Sequence, residues 1–141
     1  MGISRIGVIG AGQMGNGIAH VMALADYDVT IADVSPDHLV SATRKITQNL
    51  DRQIVAKKIS KSQGAKALEK IKTTVDLEKV AKTDLIIEAV NEDEELKRKI
   101  FHSLMPHLDK HTILTSNTSS ISITRLASCT DRPEKFLGFH F

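Results

Sequence analysis

Short apolar runs alternate along the chain with stretches of helical periodicity. Ile6 to Ile9, Val29 to Ala32, Leu85 to Val90, Ile113 to Thr115 and Phe136 to Phe139 have strand length and little internal polarity. Strands that read apolar on both faces are those covered by helices on both sides, so these runs predict a parallel sheet. Between them Ile18, Ala19, Val21, Met22 and Ala25 recur at helical spacing, as do Leu96, Ile100, Phe101, Leu104 and Met105 ahead of Pro106. Ile71 to Val75 has the composition of a further short strand before Asp84. The alternation predicts an α/β fold, doubly wound around a mostly parallel sheet. The stretch from Pro36 to about Lys70 is too long for one crossover helix, and Lys61-Ser62-Gln63-Gly64 reads as a break within it. An inserted, lysine-rich helical hairpin is expected there.

Length and composition narrow the function classes. The 141 residues suffice for one domain with its own core and are too few for two of ordinary size, so 1–141 is read as a single domain. With 41% hydrophobic and 26% charged residues, the chain is neither disordered nor fibrous in class. The formal charge is only +2, and the basic residues cluster just between Lys57 and Lys72, which argues against nucleic acid as a partner. An aromatic content of 4% without Trp leaves few base-stacking surfaces, to the same effect. The lone Cys129 excludes an internal disulfide and a cysteine metal cluster, and no metal site is expected. Without a leading h-region or a membrane-length apolar run, a soluble protein in a reducing, cytoplasmic setting is expected, with no membrane partner.

Chemistry first enters at Gly10-Ala11-Gly12-Gln13-Met14-Gly15, directly after the strand Ile6 to Ile9 and at the start of a helix near Gln13. In this context the first glycine permits a tight turn and the second lets backbone approach a pyrophosphate. The third allows close helix-to-strand packing, while the helix N-terminus attracts phosphate. Alone the pattern is weakly specific. Asp33 ends the second strand roughly 20 residues further on, where a carboxylate can accept both hydroxyls of the adenosine ribose. Its plainer role would be to cap a helix at Ser35-Pro36. Strand, loop, helix, strand and acid together predict a dinucleotide-binding, Rossmann-type domain. Asp33 would repel a ribose phosphate, and neither Val34 nor Ser35 offers positive charge, so NAD is favoured over NADP.

In an open parallel sheet the ligand crevice lies beyond the carboxyl ends of the strands. Those ends read Asn91-Glu92-Asp93, Ser116-Asn117-Thr118-Ser119-Ser120 and, after Phe139, His140-Phe141, and all three are polar. Gly10 to Gly17 with Ile18-Ala19-His20, then Ile87-Glu88-Ala89-Val90, the Ser116 to Ser120 motif and Gly138-Phe139-His140-Phe141 follow in an order and spacing that resembles the 3-hydroxyacyl-CoA dehydrogenases, especially the 3-hydroxybutyryl-CoA enzymes. The resemblance covers the whole chain, and its Ser-Asn-Thr-Ser-Ser and Phe-His-Phe segments are more specific than the glycine loop.

The resemblance implies catalytic roles for His140 and Ser119. His140 matches the family's base, which takes the hydroxyl proton of a (3S)-3-hydroxyacyl-CoA as hydride passes to NAD. An imidazole suits that task because it can accept and return a proton near neutrality. Ser119 matches the serine that binds the substrate oxygen beside the nicotinamide, and could also cap a helix ahead of Ile121. Glu92 and Lys97 fall where the family contacts the nicotinamide-side ribose, although with Glu94 and Glu95 they could equally form a solvated acidic face. Asn117 is expected to shape its loop and to border the nicotinamide. Lys58 is the best match to a lysine contacting the acyl-CoA substrate, while most of Lys57, Lys58, Lys61 and Lys66 read as a plain charged helix face. Asp51 stands where related sequences can carry a CoA-contacting serine, a departure that leaves CoA placement open.

The family also supplies a glutamate partner for the histidine shortly downstream, and a C-terminal helical domain that closes the cleft and forms a homodimer. Neither fits within 141 residues, so the chain is expected to be the cofactor-binding half of an enzyme of fatty-acid and butanoate metabolism. By itself it should bind NAD weakly and turn over little. Two rival readings stay open at this point: a dehydrogenase of a non-CoA hydroxy or sugar acid, and a non-catalytic NAD(H)-sensing module.

Overall fold

The computed structural model of the chain describes residues 2–141. Six strands form one parallel sheet: β1 (Arg5–Ile9), β2 (Asp28–Ala32), β3 (Ile71–Thr74), β4 (Leu85–Glu88), β5 (Ile113–Ser116) and β6 (Phe136–Gly138). Their order across the sheet is β3-β2-β1-β4-β5-β6, and every neighbouring pair is parallel. Winding therefore reverses between β1 and β4, and the crossovers diverge there to leave a crevice at the carboxyl ends. The register makes that edge continuous. Ala32 pairs with Ile9, Ile9 with Glu88, Glu88 with Ser116 and Ser116 with Gly138, so the residues after each strand emerge side by side.

Helices α1 (Gln13–Leu24), α2 (Pro36–Val55) and α3 (Lys61–Glu69) cover one face of the sheet. Ile18 and Ala19 of α1 and Ile46 and Leu50 of α2 share a buried core with Val8 and Ile31. On the other face α4 (Leu77–Ala81), α5 (Glu94–Leu104) and α6 (Ile123–Ala127) bury Val80, Leu104 and Leu126 against Ile86 and Leu114. There Phe101 meets Phe136 edge to face, with ring centroids 4.9 Å apart. Among the described residues no helix is long and apolar enough to cross a membrane.

The helical hairpin exists, but its break lies at 56–60 and not at Lys61-Ser62-Gln63-Gly64. The chain leaves α2 through Lys57 at φ +58, with the Lys57 amide donating to Ile54 O and the Lys58 amide to Gln53 O. That closure usually recruits glycine, and here a lysine takes the left-handed conformation. Lys61 instead opens α3 behind a capping box, in which Ser60 and Gln63 exchange side-chain and backbone hydrogen bonds. Gly64 serves packing: a Cβ there would stand 2.8 Å from Ile54 Cδ1.

At the amino end of the sheet, buried Asp84 accepts the Ser4 and Arg5 amides at 3.0 and 2.9 Å and lies 2.8 Å from His111 Nε2. The Ser4 amide bond leads the interactions that outweigh desolvation and hold the Asp84 carboxyl well below the usual carboxylate range. This cluster pins β1 to β4 at the end opposite the crevice.

Candidate dinucleotide and catalytic site

Three glycines set the loop between β1 and α1, each for a different steric reason. Gly10 has φ +107, and a Cβ there would lie 2.8 Å from Ala89 O. At Gly15 a Cβ would fall 1.7 Å from Gly10 O, so the helix could not close on the turn. Gly12 is different, because a Cβ there meets no protein atom within 4 Å. Its open side is free for a ligand. Gly12 caps α1 without a side-chain hydrogen bond, and no acidic residue stands in the first turn. The helix N-terminus thus presents amides and positive dipole toward whatever occupies that space.

Asp33, one residue past β2, braces this loop. Its Oδ2 accepts the Ala11 amide at 2.9 Å and its Oδ1 accepts the Ser35 amide at 2.9 Å. Each carboxylate oxygen accepts at least one further bond, which leaves capacity for ribose hydroxyls. The cap of α2 is Ser35, whose hydroxyl accepts the His38 amide, so Asp33 is not itself the capping side chain. Asp33 lines a cleft of about 330 Å³ whose other walls include Ile9, Ala32, Val75, Leu77 and Ile100. Apolar walls with one carboxylate at the rim suit an adenosine.

A second cleft, of about 450 Å³, shares Gly12, Ala89, Val90 and Asn91 with the first. It brings together Gln13, Met14, Glu92, Lys97, Asn117, Ser119 and His140, residues separated by more than a hundred positions in sequence. Two clefts meeting at a bare helix N-terminus fit the two halves of a dinucleotide. Lys58 lines neither of them and stands exposed in the turn after α2.

Glu92 organises the Ser119 end of the second cleft. Its Oε2 accepts the Ser119 amide at 3.0 Å, the Ser119 hydroxyl at 3.3 Å and the Ser120 hydroxyl at 3.1 Å. Burial alone would raise the Glu92 carboxyl, yet hydrogen bonds from Thr118, Ser119 and Ser120 and the Lys97 charge bring it down to about 2. The group is therefore an anion throughout the physiological range. Ser119 caps no helix; Ser122 caps α6.

Lys97 is placed more deeply than an acidic-face or ribose-contact reading implies. Its side chain is 1% exposed, with Nζ 2.6 Å from Glu88 Oε2, 3.1 Å from Val90 O and 3.5 Å from Glu92 Oε1. Two hydrogen bonds, to Glu88 and Val90 O, and the ion pair with Glu92 let Lys97 hold the loop after β4 while lining the cleft beside Glu92. Glu88 belongs to the Ile87-Glu88-Ala89-Val90 segment. It is fully buried, takes the Val90 amide at 2.7 Å and the Ser116 hydroxyl at 2.5 Å, and so ends β4 two residues before the apolar run stops. A charge at the close of an apolar run, nine residues before a lysine, was the available signal.

His140 is exposed in the same cleft, beyond the end of β6. Its two neighbours are tethered. The Phe139 amide donates to Ser116 O at 2.9 Å, and the Phe141 amide donates to Asn117 Oδ1 at 2.8 Å. Asn117 therefore fixes the segment that carries the imidazole, while its own amide donates to Glu88 O at 2.9 Å. Among the described residues no group of three or more His, Cys, Asp or Glu side chains could hold a metal ion.

Comparison with known proteins agrees with this geometry. Residues 5–141 match the family described as 3-hydroxyacyl-CoA dehydrogenase, NAD binding domain. A 3-hydroxybutyryl-CoA dehydrogenase of Bradyrhizobium diazoefficiens is 54% identical over 139 residues, 99% of this chain and 47% of the relative. The crystal structure of FadB2 from M. tuberculosis superposes with a TM-score of 0.96 at 39% identity, covering 100% of this chain and 50% of that one. The (S)-3-hydroxybutyryl-CoA dehydrogenase PaaH1 of Ralstonia eutropha gives 0.95 at 38% identity, over 99% and 50%. The chain thus spans about half the length of these relatives. With its fold, glycine loop and clefted strand ends, the chain belongs to the 3-hydroxyacyl-CoA dehydrogenase family and constitutes an NAD-binding domain of that family.

Proposed function

We propose that this domain serves an enzyme that oxidises (3S)-3-hydroxyacyl-CoA to 3-oxoacyl-CoA in fatty-acid and butanoate metabolism, in the cytoplasm and as a homodimer. The observation that carries the reading is the meeting of Ser119, Glu92 and His140 in one cleft beside the open side of Gly12. When bound, NAD supplies the hydride acceptor. Gly10 to Gly15 and the α1 N-terminus receive the pyrophosphate, and Asp33 receives the adenosine ribose. His140 takes the substrate hydroxyl proton in oxidation and returns it in reduction. Ser119 Oγ, held only by a 3.3 Å bond to Glu92, turns to the substrate oxygen. Glu92 orients Ser119 through its amide and sits at the nicotinamide-side ribose, with Lys97 behind it. Asn117 borders the nicotinamide and steadies His140 through the Phe141 amide. Lys58 is the residue proposed to meet the CoA phosphates, with Asp51, seven residues earlier and within α2, as a repulsive neighbour.

The exposed imidazole and open cleft leave water at the reacting centre, so the 141 residues alone should bind the cofactor without useful turnover. Calorimetric titration with NADH tests the first half, and reduction of acetoacetyl-CoA by the full-length protein tests the second. Saturable NADH binding with turnover only in the full-length protein is the expected result. Failure of NADH to bind, or preference of the full-length protein for a hydroxy acid lacking CoA, would overturn it.

A further inference from the structure

The adenosine cleft carries a second titratable group that the NAD-binding reading does not use. His38 Nδ1 lies 3.4 Å from Asp33 Oδ1, and both side chains line the same cleft. We propose that His38 is a proton-dependent specificity residue of this subsite: protonated, it offsets Asp33 and admits a phosphorylated adenosine ribose; neutral, it leaves Asp33 to exclude it. The proposal rests on the dinucleotide reading above and concerns which dinucleotide is accepted.

The backbone of His38 is anchored in the first turn of α2, and its imidazole reaches the Asp33 carboxylate. Ser35 Oγ accepts the His38 amide at 3.3 Å, which fixes it as the third residue of α2, within reach of the Asp33 carboxylate one residue past β2. Of the described residues lining this cleft, Asp33 and His38 alone carry ionisable side chains. Val34, 93% exposed, brings no charge, and Val75 and Leu77 form the wall contributed by the start of α4. Between those two, the Asp76 carboxylate is engaged by the Glu78 amide at 3.0 Å. On its own helix His38 follows Asp37 and stands in the first turn of α2, at the positive end of the helix.

The chemistry follows from charge alone. A carboxylate at the ribose edge rejects a 2′-phosphate, and sites that accept one supply a cation there. Imidazole is the side chain whose charge changes between pH 5 and 8, so one residue can provide that cation or withdraw it. The pair is partly open to water, His38 being 67% exposed in its side chain and Asp33 12%, which keeps the effect modest.

Dissociation constants of NADH and NADPH for the full chain, measured at pH 8 and pH 5.5 in low salt, test this in wild type, His38→Asn and His38→Arg. The 2′-phosphate itself loses charge over that interval. The Asn variant retains that contribution and so isolates the imidazole. On acidification the NADPH-to-NADH ratio of constants should fall about two- to fivefold more in wild type than in His38→Asn. His38→Arg should show the lowered ratio already at pH 8. An equal pH response in wild type and His38→Asn, or an unchanged ratio in His38→Arg, would overturn the proposal while leaving the NAD reading intact. No NADH binding at either pH would overturn both.

Discussion

Replacing Lys97 by Met should show how much of the crevice depends on one buried ion pair. Lys97 and Glu88 are 1% and 0% exposed in their side chains and lie 2.6 Å apart. Met fills most of the volume of the lysine stem, so a cavity is not the main cost. The cost is a Glu88 carboxylate sealed from water with only the Val90 amide and the Ser116 hydroxyl still donating to it. Removing one partner of a buried pair typically costs about 3–5 kcal/mol, and that is the loss expected here. Against a total of about 5–15 kcal/mol for a domain, it is a large fraction. Urea denaturation followed by circular dichroism would measure it as a lowered midpoint at unchanged slope. The double variant Glu88→Gln with Lys97→Met should be less destabilised than Lys97→Met alone, because no charge is then stranded. A loss below about 1 kcal/mol in the single variant, or a double variant worse than the single, would refute the argument.

Two further outcomes follow from the same geometry. Gly12→Ala meets no protein atom and should change stability by about 1 kcal/mol or less while weakening NADH binding at least about tenfold, whereas Gly15→Ala, with its Cβ 1.7 Å from Gly10 O, should impair folding itself. Thermal melts and NADH titrations of both would separate the roles, and equal effects on stability would contradict them. Glu92 ionises near 2 instead of its ordinary 4.5, so its stabilising contribution is complete above about pH 4.5 and is lost as pH falls through about 2. Stability between pH 4.5 and 2 should therefore fall more steeply in wild type than in Glu92→Gln, and a carbon NMR titration of the Glu92 carboxyl centred near 4.5 would sink this account.

The parallel sheet was legible because strands covered on both faces leave almost continuous apolar runs, and the clefts because polar residues follow those runs at one edge. What escaped was governed by contacts that sequence spacing does not encode. Glu88 ends β4 early by capturing the Val90 amide, an event hidden inside an apolar run. The α2 to α3 break escaped because Lys57 takes a left-handed conformation without the usual glycine, while Gly64, the obvious breaker, sits inside α3 to let Ile54 approach. Helices α4 and α6 have five residues each, too few to show a period, though Asp76 and Ser122 are ordinary caps that mark their starts. Ser119 and His140 were singled out by resemblance, but Glu92 beside Ser119 and Asn117 behind the segment that carries His140 needed the fold.

The proposed role of His140, proton acceptor for a 3-hydroxyacyl-CoA, is read out by acetoacetyl-CoA reduction and NADH binding in the full-length protein carrying His140→Ala. The expected result is a fall in turnover of about 10²–10⁴-fold with NADH affinity unchanged. Turnover near that of wild type, or loss of NADH affinity alongside the rate, would contradict the claim.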